Sequence, residues 1–190
     1  MLALASSSPR RRDLLVERGV AFLVVSPNVD ESPNGETDPV RLASRLARLK
    51  AMDVLSRRVD GYVLAADTVV AVGGEILGKP TDDDDARRML QLLSGSTHRV
   101  VTGFTAGRQS DGALVTGSVT TLITMRPLTD ADIEAYIATR EHEGKAGSYA
   151  IQETADQFVI AMEGPLDNVV GLPVRHALAA LAALGLKDVS

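Results

Sequence analysis

The chain of 190 residues contains no cysteine and no tryptophan, and aromatic residues make up only 3% of it. Without cysteine there can be no disulfide, no zinc–thiolate site and no cysteine nucleophile. With so few aromatic side chains, we do not expect a platform on which nucleic-acid bases stack. The net charge of −5 also disfavours a general nucleic-acid-binding protein, whose surface has to attract phosphates.

Long apolar runs are absent as well, since no stretch reaches the roughly 20 residues that a membrane-spanning helix needs. The N-terminal segment MLALASSSPRRR has its charges after its apolar residues, which is the reverse of a secretory signal peptide. We therefore expect a cytoplasmic protein without a membrane partner. With 45% apolar and 24% charged residues, the composition is that of a globular protein, and we expect a single domain over residues 1–190.

Apolar and polar segments alternate in a way that predicts strands and helices in turn. The predicted strands are LALAS, AFLVVSP, YVLAADTVVAV and QFVIAMEGP, and a long β-hairpin formed by HRVVTGFTAGR and ALVTGSVTTLITM. The predicted helices begin at Ser8, Asp38, Thr81, Thr129 and Pro173, and the second of them extends to about Arg58. The pattern predicts an α/β fold with a mixed, elongated sheet flanked by helices. An α+β fold with a single layer of helices is the alternative.

Three consecutive arginines, Arg10 to Arg12, stand out in an acidic chain. They follow Ser8 and Pro9, which are typical of the N-cap and first position of a helix. The helix dipole is positive at that end, so a cation in the first turn is unfavourable by about 0.3–1 kcal/mol. One explanation is an anion bound at this helix start, and the other is a solvated basic turn.

Asp67 interrupts the apolar run VLAADTVVAV and is the most informative single residue. A carboxylate in such a strand must be paired, bind a metal or lie at the strand end. A carboxylate at a strand end is also where a general base would sit. Three other charged residues are weaker evidence for a functional site. Lys50 can be explained as a cation near a helix C-terminus, Lys79 as a surface lysine and Glu31 as a loop acid, and all three situations are common.

Other familiar sites are missing from the sequence. The three histidines are far apart, and there is neither a phosphate-binding Gly-x-x-x-x-Gly-Lys-Ser/Thr loop nor a Gly-x-Ser-x-Gly nucleophile motif. The acidic run from Asp82 to Asp85 is best explained by the positive end of a helix dipole. Because the histidines are far apart and cysteine is absent, any metal should be held by oxygen ligands, as Mg²⁺ or Mn²⁺ is. Taken alone, the residues favour a phosphate-ester or phosphoanhydride hydrolase.

Several motifs together resemble one known family. LALASSSPRRRDLL resembles the opening motif, Leu-Ala-Ser-x-Ser-Pro-Arg-Arg, of the Maf-like family of nucleoside triphosphate pyrophosphatases. AADTVV, LGKP, LSGSTHRVVTG, GKAGSYAIQ and NVVGLP match its later blocks in order, over essentially the whole chain. The resemblance implies hydrolysis of a nucleoside triphosphate to the monophosphate and pyrophosphate. It also implies a two-lobed fold like that of inosine triphosphatases, with the substrate in a central cleft, a homodimer and Mg²⁺ or Mn²⁺.

The family's catalytic and metal-binding positions map onto two acids. Asp67 matches the catalytic acid, which accepts a proton from the attacking water and can also bind the metal. Glu31 matches an acidic position that helps with the metal.

The remaining matched positions are basic or hydroxyl side chains. Arg10 and Arg11 match the phosphate-contacting arginines, and Lys50 and Lys79 match basic residues around the triphosphate. Ser8 matches a serine at the cleft, which could bind phosphate as well as cap its helix. Arg12 has no role in the family and is expected to be exposed.

Two further residues concern the nucleotide base. The subfamily that acts on dTTP and UTP is similar to this chain in having Thr68 after the catalytic acid and Gln152 in AIQ. A glutamine amide can both donate to and accept from the imide edge of a pyrimidine. Glu153 departs from the glycine that commonly follows Gln152 in that subfamily. Three interpretations follow: a dTTP/UTP pyrophosphatase, a 7-methyl-GTP or broader pyrophosphatase, and a nucleotide-binding regulator of cell division without turnover.

Overall fold

The computed structural model describes residues 1–57 and 60–187, and strands and helices alternate along most of this length. The strands are β1 (Leu2–Ala5), β2 (Leu23–Val24), β3 (Tyr62–Val72), β4 (Glu75–Leu77), β5 (Thr97–Arg108), β6 (Leu114–Met125) and β7 (Val159–Glu163). The helices are α1 (Pro9–Glu17), α2 (Pro39–Ser56), α3 (Asp83–Leu93), α4 (Asp130–Ala138), α5 (Leu166–Val170) and α6 (Val174–Ala183). The predicted end of α2 at Arg58 lies outside the described residues.

Within the described ranges, seven strands form one sheet in the order β2-β1-β3-β5-β6-β7, with β4 paired to β3. β1 is parallel to β2 and β3, whereas β3 with β4 and β6 with β7 are antiparallel. A short turn joins β5 to β6, and the Arg108 N–H donates to the Ala113 carbonyl at 2.9 Å to close it. The predicted hairpin and the predicted mixed α/β fold are therefore confirmed.

The chain divides into two compact units, and each has its own apolar core. Unit 1 comprises Met1–Asp67, Thr102–Val119 and Gly171–Ser190. Unit 2 comprises Thr68–Val101 and Thr120–Val170. The single domain expected for residues 1–190 stays a prediction. Among the described helices, none is both long and apolar enough to cross a membrane.

Unit 1 has helices on both faces of its strands. Successive side chains of a strand point to opposite faces, so the apolar run of β1 and the equally apolar start of β3 are buried on both sides. Leu4 and Leu64 belong to a core cluster that includes α1 and α6 residues, whereas Ala3 and Ala65 belong to a cluster with α2 residues. The alternative of a single helix layer is therefore wrong for unit 1.

Unit 2 has one apolar cluster, in which α3 and α4 pack with strand residues. A hydrogen-bonded pair is buried with it: His98 Nε2 lies 2.7 Å from the Tyr149 hydroxyl oxygen, and their rings meet edge to face. Burial lowers the pKa of His98 from 6.5 to about 4, and burial also raises the pKa of Tyr149. Both groups are therefore neutral at physiological pH.

Three local predictions differ from the structure. AFLVVSP forms only a two-residue strand, because Leu23 and Val24 lie half exposed in the outermost strand of the sheet and little burial extends the pairing. Helix α3 is capped by Asp82 rather than Thr81, since the Asp82 carboxylate accepts from the Asp85 N–H at 2.8 Å. Ser8 occupies the N-cap of α1 as predicted, but its side chain makes no capping hydrogen bond.

The contact between Gly103 and α2 yields a stability prediction. A Cβ atom on Gly103 would lie 2.3 Å from the carbonyl carbon and oxygen of Ala43, so the helix backbone would have to move. We expect Gly103→Ala to lower the free energy of unfolding in urea by about 1–3 kcal/mol. Gly78→Ala is the matched control, because a Cβ there meets nothing within 4 Å. Equal unfolding midpoints for the two variants would contradict this close packing.

Acid sensitivity follows from His98. The unfolded chain gains a proton on this side chain near pH 6.5 and the folded protein only near pH 4, so acidification through this window favours unfolding. We expect the difference in free energy of unfolding between the wild type and His98→Gln to fall by up to about 3 kcal/mol across the window. His176→Gln, at an exposed position of α6, is the control and should track the wild type. Parallel pH profiles for wild type and His98→Gln would refute the buried neutral imidazole.

Candidate active site

The predicted partner of the Asp67 carboxylate exists, and it is Lys50. Asp67 lies in β3 with only 10% of its side chain exposed, and Lys50 in α2 has 6% exposed. The Lys50 ammonium donates to Asp67 Oδ1 at 2.6 Å. Lys50 is not in the last turn of its helix, so the interpretation of Lys50 as a cation at a helix C-terminus is wrong. The helix instead carries a buried ammonium to a buried carboxylate.

Glu31 reaches the same ammonium from the loop between β2 and α2. Its Oε1 lies 2.9 Å from Lys50 Nζ, and 46% of the Glu31 side chain is exposed. The loop is held along α2 by side chains of that helix: the Arg45 guanidinium donates to the Ser32 carbonyl at 2.6 Å, and the Asp53 carboxylate accepts from the Asn28 N–H at 2.9 Å. Glu31 is therefore positioned by contacts that do not involve Lys50.

Arg11 is oriented by two oxygen atoms of unit 1. Its Nε donates to the Gly171 carbonyl at 2.7 Å, and its Nη1 donates to Ser6 Oγ at 3.4 Å. Burial is the main reason why the pKa of Arg11 lies below its usual value, although the charge of Asp67 acts in the opposite direction. An arginine nevertheless stays charged in proteins. Asp67 and Glu31 both raise the pKa of Arg11 through their charge, so we describe the three groups together as one charged cluster.

The first turn of α1 is arranged as the sequence predicts. Helix α1 begins at Pro9, so Arg10, Arg11 and Arg12 all lie in its first turn, and that turn contains no acidic residue. Arg10 is close enough to Arg11 to lower its pKa further. Arg12 is exposed, and its Nε lies 3.3 Å from Oδ1 of its sequence neighbour Asp13. Two of the three arginines therefore belong to the charged cluster.

Lys79 and Gln152 lie on two segments of unit 2 that are joined by a hydrogen bond. The Gly147 N–H donates to the Gly78 carbonyl at 3.0 Å, and a Cβ on Gly147 would lie 3.0 Å from Val70. The Ala150 N–H donates to the Tyr136 hydroxyl at 3.1 Å, which fixes the backbone before Gln152. The Lys79 and Gln152 side chains are both exposed.

The structure thus gathers the predicted residues into two groups. Arg10, Arg11, Glu31, Lys50 and Asp67 form the charged cluster in unit 1. Thr68 follows Asp67 in β3 and belongs to unit 2, as do Lys79 and Gln152. Action of the two groups on one substrate stays a prediction.

The acidic run at the start of α3 is structural, as predicted. Asp82 caps the helix, Asp84 pairs with Arg87 and Asp85 pairs with Arg88. A pocket of about 580 Å³ beside this run is lined by Asp82, Asp83, Asp84, Glu143, Arg140 and His142, and by three uncharged residues, Pro80, Thr81 and Gly144. With four acids against one arginine, this pocket repels a triphosphate.

Sequence reasoning missed the residues that position the cluster. Gly171 and Ser6 orient Arg11, and Asp53 and Arg57 hold the Glu31 loop, since the Arg57 guanidinium donates to the Ser26 carbonyl at 3.0 Å. One signal was available: Asp53 on α2 and Arg57 directly after α2 are four residues apart and form an ion pair. The Gly171 contact uses a backbone carbonyl, which no side-chain pattern can reveal.

Comparison with known proteins identifies a family for this chain. The model of the family described as "Maf-like protein" matches residues 1–184. A protein of Geobacter sulfurreducens called dTTP/UTP pyrophosphatase is 43% identical over 97% of this chain and 96% of its own length. Proteins of the same name from Sphingopyxis alaskensis and Thermococcus gammatolerans are 45% identical over 97% of both chains, and 48% identical over 92% of this chain and 91% of the other.

A solved structure was also found at a greater distance. A HAM1 protein from Coxiella burnetii superposes with a TM-score of 0.45 and 15% identity, over 81% of this chain and 89% of that chain. A likeness this distant carries no argument about the site.

The energetic coupling of Lys50 and Asp67 can be measured directly. In a double-mutant cycle with Lys50→Met and Asp67→Asn, followed by urea unfolding in EDTA, we expect a coupling of about 1–3 kcal/mol, because each single change removes one member of a buried ion pair.

The control cycle uses Arg88→Met and Glu75→Gln. That ion pair is about half exposed on both sides, and its expected coupling is about 0.2–1 kcal/mol. If the Lys50–Asp67 coupling were no larger than the control, the pair would not be the buried interaction that the geometry indicates.

Proposed function

The chain belongs to the Maf-like protein family, and from this premise we propose that it hydrolyses dTTP and UTP to the nucleoside monophosphate and pyrophosphate. The observation that carries the proposal is the buried Asp67 carboxylate, held by Lys50 beside Glu31 and Arg11. This association of acids with cations supports the binding of a polyphosphate at Asp67. Relatives that carry the name of this activity match the chain over nearly its whole length.

Asp67 is the residue that takes the proton of the attacking water. Oδ1 of its carboxylate faces the cation position that Lys50 fills in the free protein, so we assign Oδ2 to the water. The water oxygen forms a bond to phosphorus, the anhydride bond between the α- and β-phosphoryl groups breaks, and pyrophosphate leaves with that electron pair. The water proton goes to Asp67. A positioned base of this kind contributes roughly 10²–10⁴-fold to the rate.

Arg10, Arg11, Lys50 and Lys79 are assigned to the triphosphate oxygens. Cations that face the developing negative charge stabilise the transition state, and an arginine guanidinium can bind phosphate with two parallel hydrogen bonds. We assign the Ser8 hydroxyl to the same phosphates, because it lies at the start of α1, where the helix dipole favours an anion. The contacts of Arg11 with Gly171 and Ser6 hold its guanidinium in one orientation before the substrate arrives.

The acids of the cluster fit a divalent cation. The carboxylates of Glu31 and Asp67 both reach the Lys50 ammonium, so they converge on one point, and carboxylate oxygens are ligands that Mg²⁺ and Mn²⁺ accept. A cation bound there supplies charge neutralisation for the phosphate oxygens. We assign Glu31 and Asp67 as its protein ligands.

Base recognition is assigned to Gln152 and Thr68. The amide of Gln152 can donate to and accept from the imide edge that thymine and uracil share and that cytosine lacks. Two hydrogen bonds fix the backbone before Gln152: the Ala150 N–H donates to the Tyr136 hydroxyl, and the Gly147 N–H donates to the Gly78 carbonyl. The amide of Gln152 therefore projects from a rigid segment. Such rigidity supports selection by hydrogen bonding.

We further propose that residues 1–190 act as one domain in a cytoplasmic homodimer, without a nucleic-acid or membrane partner. The resemblance to the family supports the dimer, and the net charge of −5 supports the lack of affinity for nucleic acid.

Pyrophosphate release is the decisive assay for this function. With Mg²⁺ or Mn²⁺, Asp67→Asn should fold normally and lower the turnover of dTTP by about 10²–10⁴-fold, because the water loses its base. Asp84→Asn is the matched control, since Asp84 is an exposed acid on α3 with 93% of its side chain accessible. Full turnover by a folded Asp67→Asn protein would exclude Asp67 as the base.

The same assay with a panel of nucleotides tests the preference for the nucleotide base. Turnover should be concentrated on dTTP and UTP relative to CTP, ATP, GTP and 7-methyl-GTP. Preference for 7-methyl-GTP would keep the reaction and refute the assignment of Gln152. Saturable nucleotide binding without turnover of any substrate would instead favour the regulator.

A further inference from the structure

The charged cluster already contains a cation at the point where its two carboxylates converge. Lys50 Nζ lies 2.6 Å from Asp67 Oδ1 and 2.9 Å from Glu31 Oε1, and its side chain is only 6% exposed. Each distance is that of a charge-assisted hydrogen bond. The ammonium is therefore paired, in the free protein, with the same two acids that are assigned to the divalent cation.

The protein alone offers few ligands to a divalent cation. Among residues 1–57 and 60–187, no group of three or more histidine, cysteine or acidic side chains is placed to hold a metal ion. Mg²⁺ and Mn²⁺ favour octahedral coordination by about six ligands, and Mg²⁺ sites of this type commonly combine one or two carboxylates with substrate phosphates and water. Two carboxylates that are already bound to an ammonium are a poor site without the triphosphate.

We propose that Lys50 is the resident counter-cation of Asp67 and Glu31 and keeps divalent cations out of the free protein, so that the metal enters only as its complex with the nucleotide. This inference rests on the proposed function. The triphosphate has two effects that the free protein lacks: its oxygens complete the coordination of the metal, and its negative charge attracts the Lys50 ammonium away from the carboxylates. Lys50 thus passes from the two acids to the phosphates when the substrate binds.

The surrounding contacts allow this exchange. The Glu31 loop is held to α2 through Arg45, Asp53 and Arg57, none of which requires Lys50. Asp67 is held by the pairing of β3 within the sheet. The lysine side chain is a flexible four-carbon stem with a compact charge, so its head can move while the two acids stay in place.

Binding of Mn²⁺ to the wild-type protein, counted by electron paramagnetic resonance, tests the inference without turnover. The free protein should bind Mn²⁺ on the order of 10–100-fold more weakly than the protein saturated with the non-hydrolysable analogue α,β-methylene-UTP, after subtraction of a nucleotide-only sample. Stoichiometric Mn²⁺ binding by the free protein at the affinity of the nucleotide complex would overturn the proposal.

A substitution that removes the resident cation should open the site. Lys50→Met is expected to bind Mn²⁺ without nucleotide on the order of 10–100-fold more tightly than the free wild type, and Mn²⁺ should raise its melting temperature. Arg88→Met is the matched control, because Arg88 also bridges two carboxylates, those of Glu75 and Asp85, but at an exposed position. It should gain no Mn²⁺ affinity.

The outcomes separate this inference from the proposed function. If Lys50→Met folds and binds Mn²⁺ no better than the wild type, the exclusion by Lys50 is wrong, even when the enzyme turns over dTTP normally. If Lys50→Met does not fold, the comparison of Mn²⁺ affinity between the free wild type and the wild type saturated with α,β-methylene-UTP decides. If no triphosphate is hydrolysed while Lys50→Met gains Mn²⁺ affinity, the proposed function fails and the role of Lys50 stands.

Discussion

A carboxylate in the buried part of a strand must be neutralised, and at Asp67 the neutralising group is the ammonium of Lys50. This interaction fixes much of unit 1. It requires that α2 pack on the face of the sheet where Lys50 can reach β3, and that the loop before α2 bring Glu31 to the same ammonium. The site is therefore a set of interacting charges that is assembled before any substrate binds.

Parallel pairing and helix packing bring these charges together from distant parts of the chain. β1 lies beside β3 in parallel register, so the turn that follows β1 and starts α1 with Arg10 and Arg11 leaves the sheet at the same end as Asp67. The Gly171 carbonyl then meets Arg11 across 160 positions of sequence. The fold thus brings basic and acidic residues from separate segments into one cluster.

The sequence predicted the parts of this arrangement that depend on local chemistry. The start of α1 at Pro9 and the need of Asp67 for a partner both follow from neighbouring residues. The identity of that partner does not, because Lys50 is 17 residues away and meets Asp67 only when α2 packs on the sheet. The short β2 shows another limit, since apolar content indicates burial and not whether a strand lies at the edge of a sheet. The contact of Arg11 with Gly171 is a backbone interaction and leaves no pattern of residue types.

The layer between the strands and α2 is built from small residues. Ala3, Ala65 and Ala51 fill it, and Gly103 lies directly against the backbone of the helix at Ala43. The helix axis therefore comes close to the sheet, and the fixed length of the Lys50 stem spans the remaining distance. Exchange of one of these fully buried alanines for a larger apolar residue would overpack the layer and lift the ammonium from the carboxylate. The spacing of the two charged groups therefore depends on methyl groups that take no part in the reaction.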